Sequence, residues 1–255
     1  MSTVVVCSGK GSPGATFGAT NLASAMARTG QVVLLMDLDP VGGDLCCYLG
    51  LDPRRGVYPL LRMDGVPTDP DRLLAEAEQR SGFLALSGFP EASELATAET
   101  LRAVLKVASA SWWTVVADIG RVSEANAPVA ADAELVILVV RPDLVSVLGA
   151  ERALRILETA GVRGEKVAAL VCGLDRRRPA DRAEVADALR IPVLGCVPFD
   201  RRGARKALLA QAPATSWRLK RAFRPLAATV RGAIDEAAPS HDSLIRELQP
   251  AEVTT

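Results

Sequence analysis

Short apolar runs recur along the chain, and stretches with helical periodicity lie between them. The runs are rich in Val, Leu and Ile and show little strict alternation, which is typical of strands covered on both faces. Alternating strands and helices predict a doubly wound α/β fold with a mostly parallel sheet. The predicted strands are 4–7, 32–36, 83–86, 114–117, 135–140, 167–172 and 193–197, and the predicted helices lie near 18–28, 98–109, 147–159, 180–189 and 203–210.

Two segments depart from this alternation. Residues 52–80 carry four prolines and two glycines, which predict an irregular excursion with one short helix. Residues 236–255 have the composition of a flexible C-terminal tail. Because there is no internal repeat and no long linker, we expect residues 1–235 to form one domain.

A glycine-rich turn at residues 9–18 follows the first predicted strand and precedes the first helix. In that setting, backbone N–H groups and a helix N-terminus bind phosphate. The segment fits G-x-x-x-x-G-K-[ST] except that Ala15 stands in place of the lysine. It also fits the dinucleotide pattern G-x-G-x-x-G through Gly9, Gly11 and Gly14, so a mononucleotide and a dinucleotide are both open at this point.

Three carboxylates come at the ends of predicted strands. Asp37 and Asp39 follow the second strand, and Asp118 follows a later one. The carboxyl ends of parallel strands share one edge of a sheet, where ligands of such folds bind. Strand-end carboxylates beside a glycine turn hold Mg²⁺, and a hydroxyl in the position of Thr16 is a direct ligand. We therefore expect a magnesium site at this edge, with Thr16 as a direct ligand and the three carboxylates beside it. The alternative is that the strand-end aspartates cap the helix or turn that follows.

The composition argues against several other kinds of site. Basic and acidic side chains number 30 each, so the net charge of zero predicts no nucleic-acid partner. The five cysteines form no C-x-x-C pair and His241 is the only histidine, which argues against a His/Cys metal site. No apolar run approaches the roughly 20 residues that a membrane span needs, and no signal-peptide pattern is present. The sequence therefore predicts a cytoplasmic location.

These motifs together resemble a known class of proteins. Residues 10–16 resemble the deviant Walker A motif, KGGxGK[ST], of the MinD/ParA class of P-loop ATPases, residues 37–40 resemble its D-x-D element, and Asp118 its Walker B aspartate. Residues 43–45 (Gly-Asp-Leu) and 49–53 are similar to the TadZ/CpaE pilus-assembly branch. Residues 194–202 match the segment of the class that contains a conserved Val-Pro step. The resemblance covers roughly residues 3–235.

The resemblance implies a site for ATP and Mg²⁺ and an ATP-dependent homodimer. Lys10 would reach the phosphates of the partner, and Asp39 would orient the attacking water. Thr16, Asp37 and Asp118 would hold the magnesium ion. The other implied nucleotide-binding residues are Gly11, Ser12, Pro13, Gly14, Ala15, Thr16, Phe17, Pro198, Phe199 and Asp200. The implied role is spatial localisation or assembly of a bacterial machine, such as a Tad-type pilus, a secretion apparatus or a partitioning system, through protein partners and peripheral contact with the inner membrane or cell pole.

Two departures from the class pattern bear on activity. Ala15 supplies no charge to the phosphates, and losing one preorganised cation from such a site costs on the order of 10²–10³ in rate. The asparagine that reads adenine in the class is replaced by Cys172-Gly173. We therefore expect weak or absent hydrolysis. The alternatives are an inactive pseudo-ATPase scaffold and an NAD(P)-binding Rossmann protein, in which Asp37 would bind the ribose.

The segment 217–234 has helical periodicity with a strong apolar stripe. We expect a helix that packs on the sheet; the alternative is an interfacial membrane helix of the kind found in MinD-like proteins. Short arginine runs at residues 176–178 and 201–202 are interpreted as loop surface. The stripe residues are Leu219, Phe223, Leu226, Val230 and Ile234.

Overall fold

An eight-stranded sheet runs through the computed structural model, which describes residues 2–11, 14–111, 114–174 and 181–237. The strand order is β3-β4-β2-β5-β1-β6-β7-β8, and every neighbouring pair is parallel except β3 and β4. This confirms the predicted doubly wound, mostly parallel sheet. The strands are β1 (Ser2–Ser8), β2 (Val33–Asp37), β3 (Glu78–Arg80), β4 (Phe83–Leu86), β5 (Thr114–Arg121), β6 (Leu135–Val140), β7 (Val167–Leu174) and β8 (Val193–Pro198).

Helices cover both faces of the sheet. Along β1, Val4 and Val6 belong to one core cluster and Val5 and Cys7 to the other, because successive side chains of a strand point to opposite faces. The helices are α1 (Ala15–Ala27), α2 (Leu45–Leu49), α3 (Val57–Asp64), α4 (Pro70–Glu76), α5 (Ala98–Ser111), α6 (Leu144–Thr159), α7 (Asp181–Leu189), α8 (Arg201–Leu209) and α9 (Trp217–Ala237). Helices α1 and α9 cover one face, and α5, α6 and α7 pack on the opposite cluster.

The prediction for residues 52–80 was wrong in detail. The segment contains two helices, α3 and α4, and the short strand β3, instead of one helix in an irregular excursion. Asp69 caps α4 by accepting a hydrogen bond from the Asp71 N–H, with Pro70 at the first helical position. An aspartate followed by a proline is a sequence pattern that favours the N-terminus of a helix. Strand β3 was missed because its polar residues form an antiparallel edge strand with no apolar signal.

The C-terminal helix α9 packs on the sheet, as expected. All five apolar stripe residues are at most 3% exposed and belong to the core cluster beneath α1 and α9. The alternative of a free membrane-binding stripe is therefore wrong for these residues. Helix α9 continues through Ala237, two residues into the predicted tail, and residues 238–255 lie outside the described residues. Across the described part of the chain, no helix combines the length and apolarity needed to cross a membrane.

Candidate functional site

The glycine-rich turn connects the end of β1 to the start of α1 at the carboxyl edge of the sheet. Gly14 has a φ of 102° directly before Ala15, the first residue of the helix. A side chain is strained in that conformation, so glycine is required for this entry into the helix. The N–H of Gly18 donates to the Gly14 carbonyl at 2.8 Å, which closes the first helical turn. The predicted phosphate-binding residues Ser12 and Pro13 lie outside the described residues.

Gly9 fixes the glycine turn against helix α6. A Cβ atom on Gly9 would lie 2.3 Å from the carbonyl carbon and oxygen of Gly149 and 2.5 Å from the nitrogen of Ala150. The two backbones can approach this closely only because neither glycine carries a side chain. Gly149 was not predicted as part of the site, because a single glycine inside a helical pattern gives no sign of which backbone it contacts.

The two residues that decide the charge of the turn are Lys10 and Ala15. Ala15 is 7% exposed, and its methyl group belongs to the core cluster under α1. Lys10 is half-buried, and no described carboxylate lies within ion-pair distance of its ammonium group. Its carbonyl accepts a hydrogen bond from the buried Ser8 hydroxyl at 2.9 Å. Lys10 is therefore the cation of the described part of the turn.

Asp37 and Asp118 face each other across neighbouring strands, because β2 and β5 pair in a register that aligns them. Each is 1% exposed. Burial, followed by repulsion from Asp118, raises the pKa of Asp37 well above its ordinary value. Burial also raises the pKa of Asp118 to about 6, although hydrogen bonds from Thr16 and Gly120 favour its charged form. Two buried carboxylates held this close favour a bound cation.

The segment after β2 closes around the Asp37 carboxylate. One oxygen accepts the Asp39 N–H at 3.2 Å and the other accepts the Leu45 N–H at 3.0 Å, at the start of α2. A Cβ atom on Gly43 would lie 2.2 Å from the Asp37 Oδ2. The Gly-Asp-Leu motif at residues 43–45 therefore has a local physical role: Gly43 leaves room for the carboxylate, and Leu45 donates to it.

Asp39 lies beside this pair and is less buried. Its Oδ1 accepts the Val41 N–H at 3.0 Å, and its Oδ2 would lie 2.1 Å from a Cβ atom on Gly120, whose φ is 64°. Burial is the largest cause that raises the pKa of Asp39, and repulsion from Asp44 adds to it. The carboxylate is thus positioned by backbone at the same sheet edge as Asp118.

The donor set suits Mg²⁺ and does not form a complete cage. Within the described residues, no group of three His, Cys, Asp or Glu side chains is close enough to hold a metal alone. Mg²⁺ in nucleotide sites takes one or two protein ligands and completes its shell with water and phosphate. The Thr16 hydroxyl lies near enough to Asp118 to lower the pKa of that carboxyl, and Asp118 is paired with Asp37, so the three residues of the predicted magnesium site lie together.

A cavity of about 470 Å³ joins the glycine turn to the end of β8. Gly14 and Phe17 line one side, and Pro198, Phe199 and Asp200, which were predicted to bind the nucleotide, line the other. These groups come from opposite ends of the sequence, and the structure brings them to one cavity. Cys172 and Gly173 also line it, at the position where the class pattern has asparagine.

The carboxylate of Asp200 is already engaged by the protein. Its Oδ1 accepts the Gly203 N–H at 2.9 Å as the cap of α8, and its Oδ2 accepts the Ser216 hydroxyl at 2.8 Å, just before α9. The Gly203 and Ser216 hydrogen bonds lower the pKa of Asp200. The side chain therefore organises the wall of the cavity.

Arg141 and Tyr48 are among the residues of the cavity wall that sequence reasoning missed. Arg141 follows β6 and bridges to Asp143 at 3.4 Å, and Tyr48 lies on α2. Neither belongs to a motif, and each reaches the cavity only through the packing of its element. The end of a parallel strand was the one available signal for Arg141.

The strand order argues against the dinucleotide alternative. In the Rossmann arrangement the second strand lies next to the first, so its terminal acid reaches the ribose. Here β5 lies between β1 and β2. Both oxygens of Asp37 also accept backbone N–H groups in a buried position. Asp37 is therefore not placed to bind a ribose.

The sequence matches the family model described as the CobQ/CobB/MinD/ParA nucleotide binding domain over residues 4–209. It is also similar to the septum site-determining protein MinD of Thermotoga maritima, with 28% identity over 176 residues. That match covers 67% of this chain and 63% of the Thermotoga protein, so the chain spans less than two thirds of that relative.

Solved structures of low identity share the fold. A MinC:MinD cell division protein complex from Aquifex aeolicus matches with a TM-score of 0.74 at 19% identity, covering 91% of this chain and 96% of that one. The septum site-determining protein MinD complexed with Mg-ADP from Pyrococcus horikoshii matches with a TM-score of 0.70 at 22% identity, covering 93% and 98%. At these identities the likeness establishes the fold.

Proposed function

Because the chain belongs to the CobQ/CobB/MinD/ParA nucleotide-binding domain family, we propose that it binds ATP with Mg²⁺ at the glycine turn. The observation that carries the proposal is the cavity of about 470 Å³, which joins Gly14 and Phe17 to Pro198 and Phe199. Phosphates would bind at the backbone N–H groups of the turn, and the base would lie between the turn and Phe199.

Nucleotide binding should depend strongly on the metal. Asp37, Asp39 and Asp118 lie at one edge of the sheet, opposed by Lys10 among the described residues of the turn. A triphosphate adds further negative charge to this edge. Thr16, Asp37 and Asp118 would hold the magnesium ion, which supplies the positive charge that this arrangement lacks.

Hydrolysis is proposed to be weak or absent. The buried methyl group of Ala15 offers no charge to the phosphates, which leaves that task to Lys10. Asp39 is the proposed group that orients water, since its carboxylate is positioned by the Val41 N–H next to Gly120. A pseudo-ATPase scaffold is the second candidate, and the burial of Ala15 in the core favours it.

The proposed active form is a homodimer that meets at the nucleotide edge. Helix α6 passes beside the glycine turn, where Gly149 contacts Gly9. Large apolar side chains around this edge remain exposed in the monomer, as is typical of a protein–protein contact. These side chains are Val41, Leu144, Val145 and Leu148, exposed by 72%, 73%, 62% and 42%.

The proposed role is to localise or assemble a bacterial cell machine. The resemblance of residues 43–45 and 49–53 to the TadZ/CpaE branch favours a Tad-type pilus or a secretion apparatus, with partitioning as the other role of the class. Its protein partners would bind the nucleotide-loaded dimer. The proposed location is the cytoplasm, with peripheral contact at the inner membrane or cell pole made by surfaces other than the buried stripe of α9.

Calorimetric titration of the full chain with ATP tests the binding proposal. We expect binding with Mg²⁺, at least tenfold weaker binding when the metal is chelated, and no binding of NADPH. Lys10→Ala should weaken ATP binding about tenfold, the loss expected for a charged hydrogen bond. The matched control is Lys106→Ala, which removes an exposed lysine on α5. Equal loss in both variants, or preference for NADPH, would contradict the proposal.

Single-turnover hydrolysis separates the two candidate functions. A weakened ATPase should gain rate in Ala15→Lys, and the combined Ala15→Lys/Asp39→Ala variant should lose that gain. A scaffold should show no hydrolysis in any variant, while sedimentation still detects a dimer that Val145→Asp disrupts. Failure of every variant to bind ATP would contradict the ATPase and the proposed nucleotide site, and would favour the scaffold.

A further inference from the structure

A second cavity, of about 410 Å³, lies between α1 and α9. It shares no lining residue with the candidate nucleotide cavity. Three basic side chains line it: Arg28 from the end of α1, and Lys220 and Arg224 from the first turns of α9. No acidic residue is among its described lining, and no described carboxylate lies within ion-pair distance of these three cations.

A buried hydroxyl without a partner lies in the wall of the same cavity. Ser24 is 3% exposed, lines the cavity, and its Oγ forms no hydrogen bond with the described residues. A buried polar group left unpaired destabilises the folded state, and alanine at this helical position would avoid that cost. The Oγ atom is closed off from the cavity in this rotamer, so a ligand would reach it after rotation about the Cα–Cβ bond. With that rotation, the unpaired hydroxyl favours a ligand with hydrogen-bonding capacity. Thr20 also has an unpaired hydroxyl, but it does not line the cavity.

The walls of the cavity are fixed to each other. The Asn21 side chain donates to the Phe17 carbonyl at 2.8 Å and accepts the Ala214 N–H at 2.8 Å. The first bond holds the Asn21 side chain against its own helix, and the second ties α1 to the segment that precedes α9. Phe223, which is 2% exposed, packs edge-on against Phe17 with ring centroids 6.2 Å apart. The three cations thus extend from helices whose spacing is set in advance, which favours binding.

We propose that this cavity binds the phosphate group of a small phosphate ester. Guanidinium and ammonium groups are the donors that proteins use for phosphate, and a serine hydroxyl adds a neutral donor. The volume exceeds that of inorganic phosphate, and Ala25, Ala214 and Phe223 supply apolar lining for the organic part. The ester is either a soluble metabolite or the headgroup of a phospholipid, since both carry the same group.

Calorimetric titration of the full chain with inorganic phosphate and with glycerol 3-phosphate tests the site. Ser24→Ala and Arg224→Gln should each weaken binding about tenfold, the loss expected for a hydrogen bond to a charged group. Lys220→Gln provides a second charge variant. Arg155→Gln, which removes an exposed arginine on α6, is the matched control and should leave binding unchanged.

Thermal unfolding separates a ligand role from a structural one. Ser24→Ala should unfold at or above the temperature of the parent protein without phosphate, because it removes an unpaired buried hydroxyl. Its stabilisation by added phosphate should be smaller than that of the parent. A serine with a purely structural role would lower the unfolding temperature in Ser24→Ala and leave phosphate binding intact, and that result would overturn the proposal.

Vesicle binding identifies the source of the phosphate. Phosphatidylcholine vesicles with and without phosphatidic acid are compared in co-sedimentation with the same variants. Phosphatidic-acid binding that Ser24→Ala weakens assigns a lipid headgroup, and binding of glycerol 3-phosphate alone assigns a soluble ester. Absence of both would overturn the proposal. The proposal would also be overturned if the site variants lost no more phosphate affinity than Arg155→Gln. A loss of phosphate affinity in Lys10→Ala, with Arg224→Gln unaffected, would overturn it as well, since phosphate would then bind at the glycine turn.

Discussion

At the glycine-turn end of the candidate nucleotide site, the chemical groups are buried and held by backbone contacts, whereas at the Pro198 end they are exposed side chains. Gly9 contacts the backbone of α6, and Asp37 and Asp118 are each 1% exposed. At the other end, Phe199 is 61% exposed. We call these the phosphate end and the base end.

This difference predicts how substitutions divide between stability and binding. At the phosphate end, Asp37 and Asp118 are buried and Gly9 touches the backbone of α6, so these residues affect the stability of the fold as well as ligand binding. At the base end, most side chains contribute to the cavity without supporting the core. Substitutions at the phosphate end should therefore change stability and binding together, and those at the base end should separate them.

The largest effect is expected from Gly9→Ala. The added Cβ would lie 2.3 Å from backbone atoms of Gly149, so the glycine turn and α6 must move apart. We expect a loss of about 3 kcal/mol or more in the free energy of unfolding, together with loss of nucleotide binding. Urea denaturation measures the first quantity. Gly11→Ala is the control, because its Cβ would meet no atom of the described residues within 4 Å. Equal destabilisation of both variants would contradict the contact with α6.

The next-largest effect is an increase in the free energy of unfolding, and its size depends on pH. The folded protein raises the pKa of Asp118 from 3.8 to about 6, so the folded state holds that proton more tightly than the unfolded chain does. The stability that the protonated Asp118 carboxyl contributes is therefore fully present below pH 4 and is lost as the pH rises to about 6. Asp118→Asn removes this loss and should stabilise the metal-free protein by up to about 3 kcal/mol above pH 6.

The measurement for Asp118→Asn is urea denaturation between pH 4 and 8 in a chelating buffer. The variant and its parent should converge at the acidic end of that range. Mg²⁺-dependent ATP binding should be lost in the variant at the same time. A constant difference at every pH would show that the carboxylate is not strained by burial in the folded state.

At the base end, Asp200→Ala should reduce stability by about 1–2 kcal/mol, because the α8 cap and the bond to Ser216 are both lost. Asp200→Asn retains an acceptor and should recover part of the loss. Urea denaturation and ATP titration are compared for both variants. Unchanged stability with loss of ATP binding would instead make Asp200 a direct ligand.

The smallest change in stability is expected from Phe199→Ala. Because the ring is 61% exposed, the free energy of unfolding should stay within about 0.5 kcal/mol. ATP affinity should nevertheless fall about fivefold if the ring packs on the base. Leu209→Ala, which removes an exposed side chain of α8 outside the cavity lining, should change neither quantity. A loss of stability without loss of affinity would reverse the proposed contrast between the two ends.

The phosphate end was the more predictable of the two. Both Asp37 and Asp118 were predicted at strand ends, which parallel strands bring to one edge of the sheet. Asp37 does end β2, but the prediction was wrong for Asp118, because β5 continues to Arg121. Pairing of β2 with β5 then made them direct neighbours. The contacts of Gly43 and Leu45 with the Asp37 carboxylate could not be predicted from the sequence, because they depend on how the segment after β2 packs. The motif at residues 43–45 was the one sign of them.

The base end and the irregular segment were less predictable for a physical reason. Arg141 reaches the cavity because β6 and β8 flank β7 in the sheet, an arrangement that no local pattern encodes. Strand β3 consists of polar residues whose structure depends on pairing with β4. The hydrogen bond between Asp200 and Ser216 joins two residues whose contact cannot be predicted from hydrophobic periodicity.

A crystal structure of the full chain with a non-hydrolysable ATP analogue and Mg²⁺ is the decisive test of nucleotide binding at the glycine turn. We expect phosphates at the turn between Gly9 and Thr16, the metal beside Thr16 and Asp118, and the base next to Phe199. A nucleotide bound elsewhere, or none at saturating concentration with the turn unchanged, would contradict it.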